Sequence, residues 1–202
     1  LLTSLIQVIS RILQRTAYLE LLLENLPALQ QLVKLCHSSP WIAQQLRSFP
    51  ILLDELLNPV DLYNPIPPEQ FADLLRQQLL RVPQDDLEQQ MESLRQFKLS
   101  QQLRIAAADV TGALPVNKVS DHLTMLAEVI VAETIQMAWQ QMTEKYGYPA
   151  GADEDNRHFA VLAYGKQGGI ELGYGSDLDL VFLHDCSSNA GTDGSKSIDS
   201  KQ

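Results

Sequence analysis

The 202-residue sequence predicts a mainly α chain with a truncated α/β part at its end, on three observations. Apolar residues recur at helical spacing through residues 2–146. All ten prolines stand at or before Pro149, while of the ten glycines only Gly112 precedes Gly147. Proline bounds helices and glycine builds loops, so the shift sets an architectural boundary near residues 146–155. Finally, residues 159–184 read as strand, glycine loop, strand.

Each element has a local reason. Leu2, Leu5, Ile6, Ile9 and Leu13 follow the stripe of an amphipathic helix. Thr16 is placed to cap a second helix that Pro27 stops, and a third runs over residues 28–37. Ser39 and Pro40 form an N-cap and first-turn pair for a fourth, which Pro50 ends. ILLDELL then makes a short apolar turn before Pro59. Residues 58–68 hold four prolines and read as a connector. Pro68 opens a helix to about Arg81. Asp85 and Asp86 put negative charge at the start of a long helix from Leu87, where the macrodipole favours it. Its apolar positions are Leu87, Met91, Leu94, Leu99, Leu103, Ala106 and Val110, and Gly112 and Pro115 end it. Ser120 and Asp121 start another long helix, whose broad apolar stripe through Leu123, Leu126, Ile130 and Trp139 predicts burial between two layers. Trp41 and Trp139 are expected in the core. A polar loop over residues 150–157 leads to strands at 158–164 and 177–184. The tail, residues 187–202, is poor in apolar residues and is expected to be disordered.

Composition excludes several function classes. A net charge of −10 with no basic cluster argues against a nucleic-acid surface. Apolar runs break well before the ~20 residues that a membrane helix needs. Cys36 and Cys186 are too few for a disulfide framework and have no metal-ligand spacing, which points to free thiols and a cytoplasmic location. The four histidines show no metal spacing. No signal peptide is expected from the first residues, and Leu1 suggests a chain cut from a longer protein.

The chemistry concentrates in FAVLAYGKQGGIELGYGSDLDLVFLH. Asp177 and Asp179 stand one residue apart at the mouth of an apolar strand, so both carboxylates point to one face. They are either an ordinary turn at a strand start or a pair holding a cation, and Mg²⁺ suits one or two carboxylates plus substrate phosphates. Gly165, Lys166, Gln167, Gly168 and Gly169 form either a plain turn or a backbone nest that admits a phosphate, with Lys166 adding charge. The order is neither that of a Walker loop nor that of a dinucleotide fingerprint. Glu171 either orients Lys166 or is a surface glutamate.

Together the glycine turn and the D-x-D resemble the signature of polymerase-β-type nucleotidyltransferases, although Gly165-Lys166 replaces that family's usual Gly-Ser. The wider block YGKQGGIELGYGSDLDLVFLHDC resembles GKxGGxELxxxSDLDLxF of the glutamine-synthetase adenylyltransferases, bifunctional glutamate–ammonia-ligase adenylyltransferases/deadenylylases. SPWIAQQLRSFPILLDELL, LRQFKLSQQLRIAAADVTGALPV and KVSDHLTMLAEVIV resemble the same family's helical lead-in to its C-terminal, adenylylating half. The resemblance implies a helical linker or regulatory region over 1–115. It implies the first two strands of a nucleotidyltransferase domain over 116–202. It further implies Asp177 and Asp179 as catalytic metal ligands, with Gly165, Lys166, Gly168, Gly169 and Ser176 along the nucleotide. A third carboxylate is expected from a later D-x-R-L-R-P block, so the chain alone is expected to be inactive. The implied reaction is Mg²⁺- and ATP-dependent transfer of AMP to a tyrosine of glutamine synthetase, regulating nitrogen assimilation. A PII-type signalling protein and glutamine are the implied regulators. The rival expectations are the deadenylylating copy of the same enzyme and a non-catalytic helical interaction module.

Overall fold

The computed structural model describes residues 2–13, 16–185 and 191–199. They divide into two units, Leu1–Leu126 and Ala127–Gln202. No described helix is long and apolar enough to cross a membrane.

The first unit is helical throughout, as the periodicity predicts. Its helices are α1 (Leu2–Ile12), α2 (Thr16–Glu24), α3 (Leu26–Ser38), α4 (Pro40–Ser48), α5 (Pro59–Leu62), α6 (Phe71–Leu79) and α7 (Leu87–Val110), followed by the start of α8 (Val116–Tyr146). ILLDELL lies in a 3-10 segment, Pro50–Leu57, that buries Leu52, Leu53 and Leu56. The caps follow the sequence. The Ser39 hydroxyl accepts the Ile42 N–H at 3.3 Å, and the Asp86 carboxylate accepts that of Gln89 at 3.0 Å.

Three expectations about boundaries and faces need correction. In α1 the buried stripe centres on Val8 and Ile12, while Ile6 and Leu13 are more than half exposed. Pro68 opens only a 3-10 turn, Pro68–Gln70, because Pro67 and Pro68 supply no N–H to a helical ladder. The helix α8 begins at Val116 rather than Ser120, since Pro115 fixes a helix-compatible φ directly after the Gly112 turn at φ +74°.

The core gathers Leu32, Leu35, Ile42, Leu46, Leu53, Leu56, Leu62, Phe71, Leu103 and Ile105, all essentially without solvent access. Phe71 meets Phe97 edge-to-face at 6.4 Å and His122 at 6.3 Å. In α7, Ile105, Ala106, Ala107 and Ala108 are all buried. Small side chains there let neighbouring elements approach from every side. Met91, expected on the buried face, is 41% exposed, and Phe97 holds that role. Cys36 is a buried free thiol whose pKa burial pushes up to about 11. Cys186 lies outside the described residues.

The second unit carries the rest of α8, strand β1 (Phe159–Tyr164), the single turn α9 (Gly165–Gly168) and strand β2 (Asp179–His184). The strands pair antiparallel with Phe159 opposite His184 and Tyr164 opposite Asp179. Within this unit Met137 is the one described α8 side chain that is buried, and Trp139 is half-buried, so the broad stripe is not matched by burial. Trp41 of the first unit is likewise half-buried. Of the expected disordered tail, residues 191–199 are placed. The Asp193 carboxylate accepts the Tyr148 N–H at 2.6 Å, and Pro149 bridges Thr192. The remaining tail residues lie outside the described set.

Candidate functional site

The register of the hairpin decides what each site residue can do. Directly opposed residues of an antiparallel pair share a face. Phe159, Val161, Ala163, Leu180, Phe182 and His184 therefore occupy one face, and Ala160, Leu162, Tyr164, Asp179, Val181 and Leu183 the other. Phe159, Val161, Ala163 and Leu180 of the first face, together with Leu178 and the α8 residues Glu128, Val131, Ala132 and Ile135, line a largely apolar cavity of about 450 Å³. Asp179 points away from that cavity, on the face it shares with Tyr164.

The structure brings the glycine turn and Asp179 together. Gly165 follows the last paired residue of β1 and takes φ +55°, a left-handed conformation that a side chain resists. A Cβ at Gly165 would collide with the Asp179 carboxylate. Glycine is therefore required there twice over, by conformation and by the closeness of the acid. At Gly168 a Cβ would lie 2.7 Å from the Ala163 carbonyl oxygen, so glycine lets α9 fold back against β1. Gly169 is different. Its φ is −84°, and a Cβ there would meet only ordinary contacts.

Lys166 is exposed at the start of α9, and its carbonyl accepts the Glu171 N–H at 2.8 Å. The backbone of Glu171 thus closes the turn, while its side chain faces solvent. Ser176 closes the approach to β2: its hydroxyl accepts the Gly173 N–H at 2.9 Å, and its N–H reaches the Gly173 carbonyl at 3.1 Å. Asp177 does not enter the strand as expected. Ladder pairing stops at Tyr164 and Asp179 because Gly165 turns away, so Asp177 lies exposed in the loop two residues before.

Two residues have buried, positioning roles that their sequence context did not assign: Gln167, named only within the glycine loop, and Leu172. Gln167 and Leu172 are 5% and 4% exposed and seat the glycine segment on the rest of the unit. Leu172 was findable, as an isolated leucine in a glycine-rich stretch is more than a flexible turn needs. Gln167 was not, because nothing in its type announces burial.

At the far end of the hairpin, His158 takes φ +52° and its ring pairs with Asp185 at 2.7 Å. The hydrogen bond that the His158 ring donates to the Asp185 carboxylate raises the His158 pKa above 6.5, and the same bond lowers that of Asp185.

Asp177 and Asp179 offer only oxygen donors, and among the described residues no group of three His, Cys, Asp or Glu side chains is placed to hold a metal. The Asp179 carboxylate beside an open glycine turn, with Asp177 two residues away in the adjoining loop, fits a hard cation that takes its other ligands from phosphates and water. The two carboxylates do not fit a closed protein cage such as structural zinc requires.

A family profile described as Glutamate-ammonia ligase adenylyltransferase matches residues 29–202. A bifunctional glutamine synthetase adenylyltransferase/adenylyl-removing enzyme of Shewanella frigidimarina (strain NCIMB 400) is 60% identical over 193 residues, covering 96% of this chain and 20% of the relative. A protein of the same description from Shewanella woodyi (strain ATCC 51908 / MS32) is 59% identical over 203 residues, covering 98% of this chain and 21% of the relative. The chain spans about a fifth of the length of these curated relatives.

Proposed function

The chain belongs to the glutamate-ammonia ligase adenylyltransferase family, and from that premise we propose that its second unit contributes an ATP- and Mg²⁺-binding site for AMP transfer to a tyrosine of glutamine synthetase. The observation that carries this reading is the contact between Gly165 and Asp179, which puts an open backbone turn and a carboxylate at one point. Asp177 and Asp179 are the residues that would hold Mg²⁺. Bound there, the ion supplies neutralisation of the charge on the phosphate oxygens.

The protein groups do the rest. Glycine at 165 leaves the turn open to the triphosphate, and Lys166, exposed at its start, adds a compact positive charge. Ser176 acts by holding the 173–176 turn that presents Asp177, because its hydroxyl is already engaged with Gly173. Gln167 and Leu172 keep α9 fixed, so the turn does not reorganise as charge develops. Residues 1–115 serve as the helical linker and regulatory region, and a PII-type protein and glutamine are the regulators of the reaction. Removal of AMP is the second reading, favoured by the double description of both relatives.

Calorimetric titration with ATP tests the proposal. Binding is expected with Mg²⁺, and it should be lost on chelation and in Asp177→Asn and Asp179→Asn. Metal-independent ATP binding, or none at all, would overturn it. Because a third carboxylate is expected from a later block of the family's sequence, the chain alone is expected to bind without turnover, and AMP transfer by the isolated chain would contradict that. In the full-length enzyme, scoring AMP addition and removal separately in Asp177→Asn identifies which reaction this copy performs.

A further inference from the structure

We propose that the cavity beside Glu55 in the helical unit binds a small organic cation of the primary-ammonium or guanidinium class. The cavity has a volume of about 840 Å³, ample for such a molecule. It lies between the 3-10 segment Pro50–Leu57, the proline connector, α6 and α7.

Gln101 is the first indication. This α7 residue lines the cavity, is only 5% exposed, and its Oε1 has no hydrogen-bond partner. A buried carbonyl left in that state is costly, and what it lacks is a donor. Charge points the same way. Glu55 is already satisfied: Oε1 accepts from the Ser100 hydroxyl at 2.6 Å and Oε2 from Arg104 Nε at 2.7 Å. Asp61 takes the Asn58 amide at 2.6 Å. Asp54 has no such partner, lines the same cavity and is exposed toward it. With Asp54, Glu55 and Asp61 against Arg81 and Arg104, the lining keeps one excess negative charge. Leu52 and Phe97, buried in the wall, provide apolar surface for a short alkyl stem.

A molecule with an alkyl stem and a cationic donor head therefore meets each unmet demand. Its N–H groups satisfy Gln101 Oε1, its charge balances Asp54, and its stem covers Leu52 and Phe97. This inference stands independently of the nucleotide site.

The probes are agmatine and n-butylammonium, with butyrate and 1-butanol as anionic and neutral counterparts of equal stem length. The readout is the NMR signal of the Gln101 side-chain amide together with the melting temperature. Saturable shifts are expected with the two cations and not with butyrate or butanol. Asp54→Asn should weaken cation binding at least fivefold. Gln101→Leu should abolish it without lowering the melting temperature, because the replacement removes an unsatisfied group at similar volume. If Gln101→Leu does not fold, the exposed substitution Asp54→Asn alone decides. Equal shifts from butanol, no saturation with either cation, or undiminished binding in Asp54→Asn would overturn the proposal and leave solvent as the occupant.

Discussion

The two units differ in where their apolar residues go. In Leu1–Leu126 a large set is inside: Phe71, Leu103, Ile105 and their neighbours form a core, while others such as Leu23, Val60 and Leu80 stay exposed. In Ala127–Gln202 they are largely outside. Phe159, Leu162, Val181, Phe182 and Leu183 are all between 41% and 58% exposed, and among described apolar residues only Met137 and Leu172 are buried. A hairpin of two strands has little of its own to pack against. The difference teaches that stability and chemistry are separated along this chain. Substitutions in the first unit should register as unfolding, and those around the glycine turn as loss of binding.

The largest expected effect tests the first half of that statement. Phe71→Ala empties a fully buried aromatic site and should cost about 3–5 kcal/mol in urea unfolding. Phe182→Ala, on the exposed hairpin, should cost less than about 1 kcal/mol. Equal costs would erase the distinction between the units.

Next comes a largely covered ion pair against an exposed one. Arg104→Ala leaves Glu55 without its cation in a site where both side chains are about four-fifths covered, and should cost about 2 kcal/mol. Arg76→Ala breaks a pair with Asp73 that is about 70% exposed at both ends, and should cost under about 0.5 kcal/mol.

A paired glycine substitution then sharpens the second half. Gly165→Ala carries about 1–2 kcal/mol of left-handed strain and displaces the Asp179 carboxylate, so Mg²⁺-dependent ATP affinity should fall more than stability does. Gly169→Ala meets only ordinary contacts at negative φ and should leave both nearly unchanged. Titration beside thermal melting separates the two quantities.

The smallest effect concerns pH. His158 has a raised pKa, so its contribution is complete below the unfolded value near 6.5 and is lost as pH rises through the folded one. Asp185 has a lowered pKa, so its contribution holds above 3.8 and is lost as pH falls through the folded value. The pair thus supports the hairpin end most between about pH 4 and 6.5. An NMR titration should find His158 above the usual histidine range, and Asp185→Asn should bring it back down.

Much of this organisation was legible in the sequence. Period and punctuation located the helices, since Ser39-Pro40, Asp86 and Gly112 act through local backbone chemistry. The two strands were legible from their apolar runs, and the motif named the residues proposed for the site. Burial was less so. Ile6 and Leu13 look as apolar as Val8, and only tertiary packing selects which turn of α1 faces inward. Asp177 was expected in β2 because the i, i+2 rule assumes a strand that continues. The rule gives way where Gly165 ends the partner strand, and no pattern within 177–184 records that.

The central claim is that the glycine turn and the aspartates make one nucleotide site on a unit whose stability does not depend on it. The most direct measurement is the AMP-transfer rate of the full-length enzyme carrying Asp179→Asn, taken together with its melting temperature. The account predicts a rate lower by roughly 10²-fold or more with the melting temperature unchanged. A near-normal rate, or a loss of rate matched by unfolding, would contradict it.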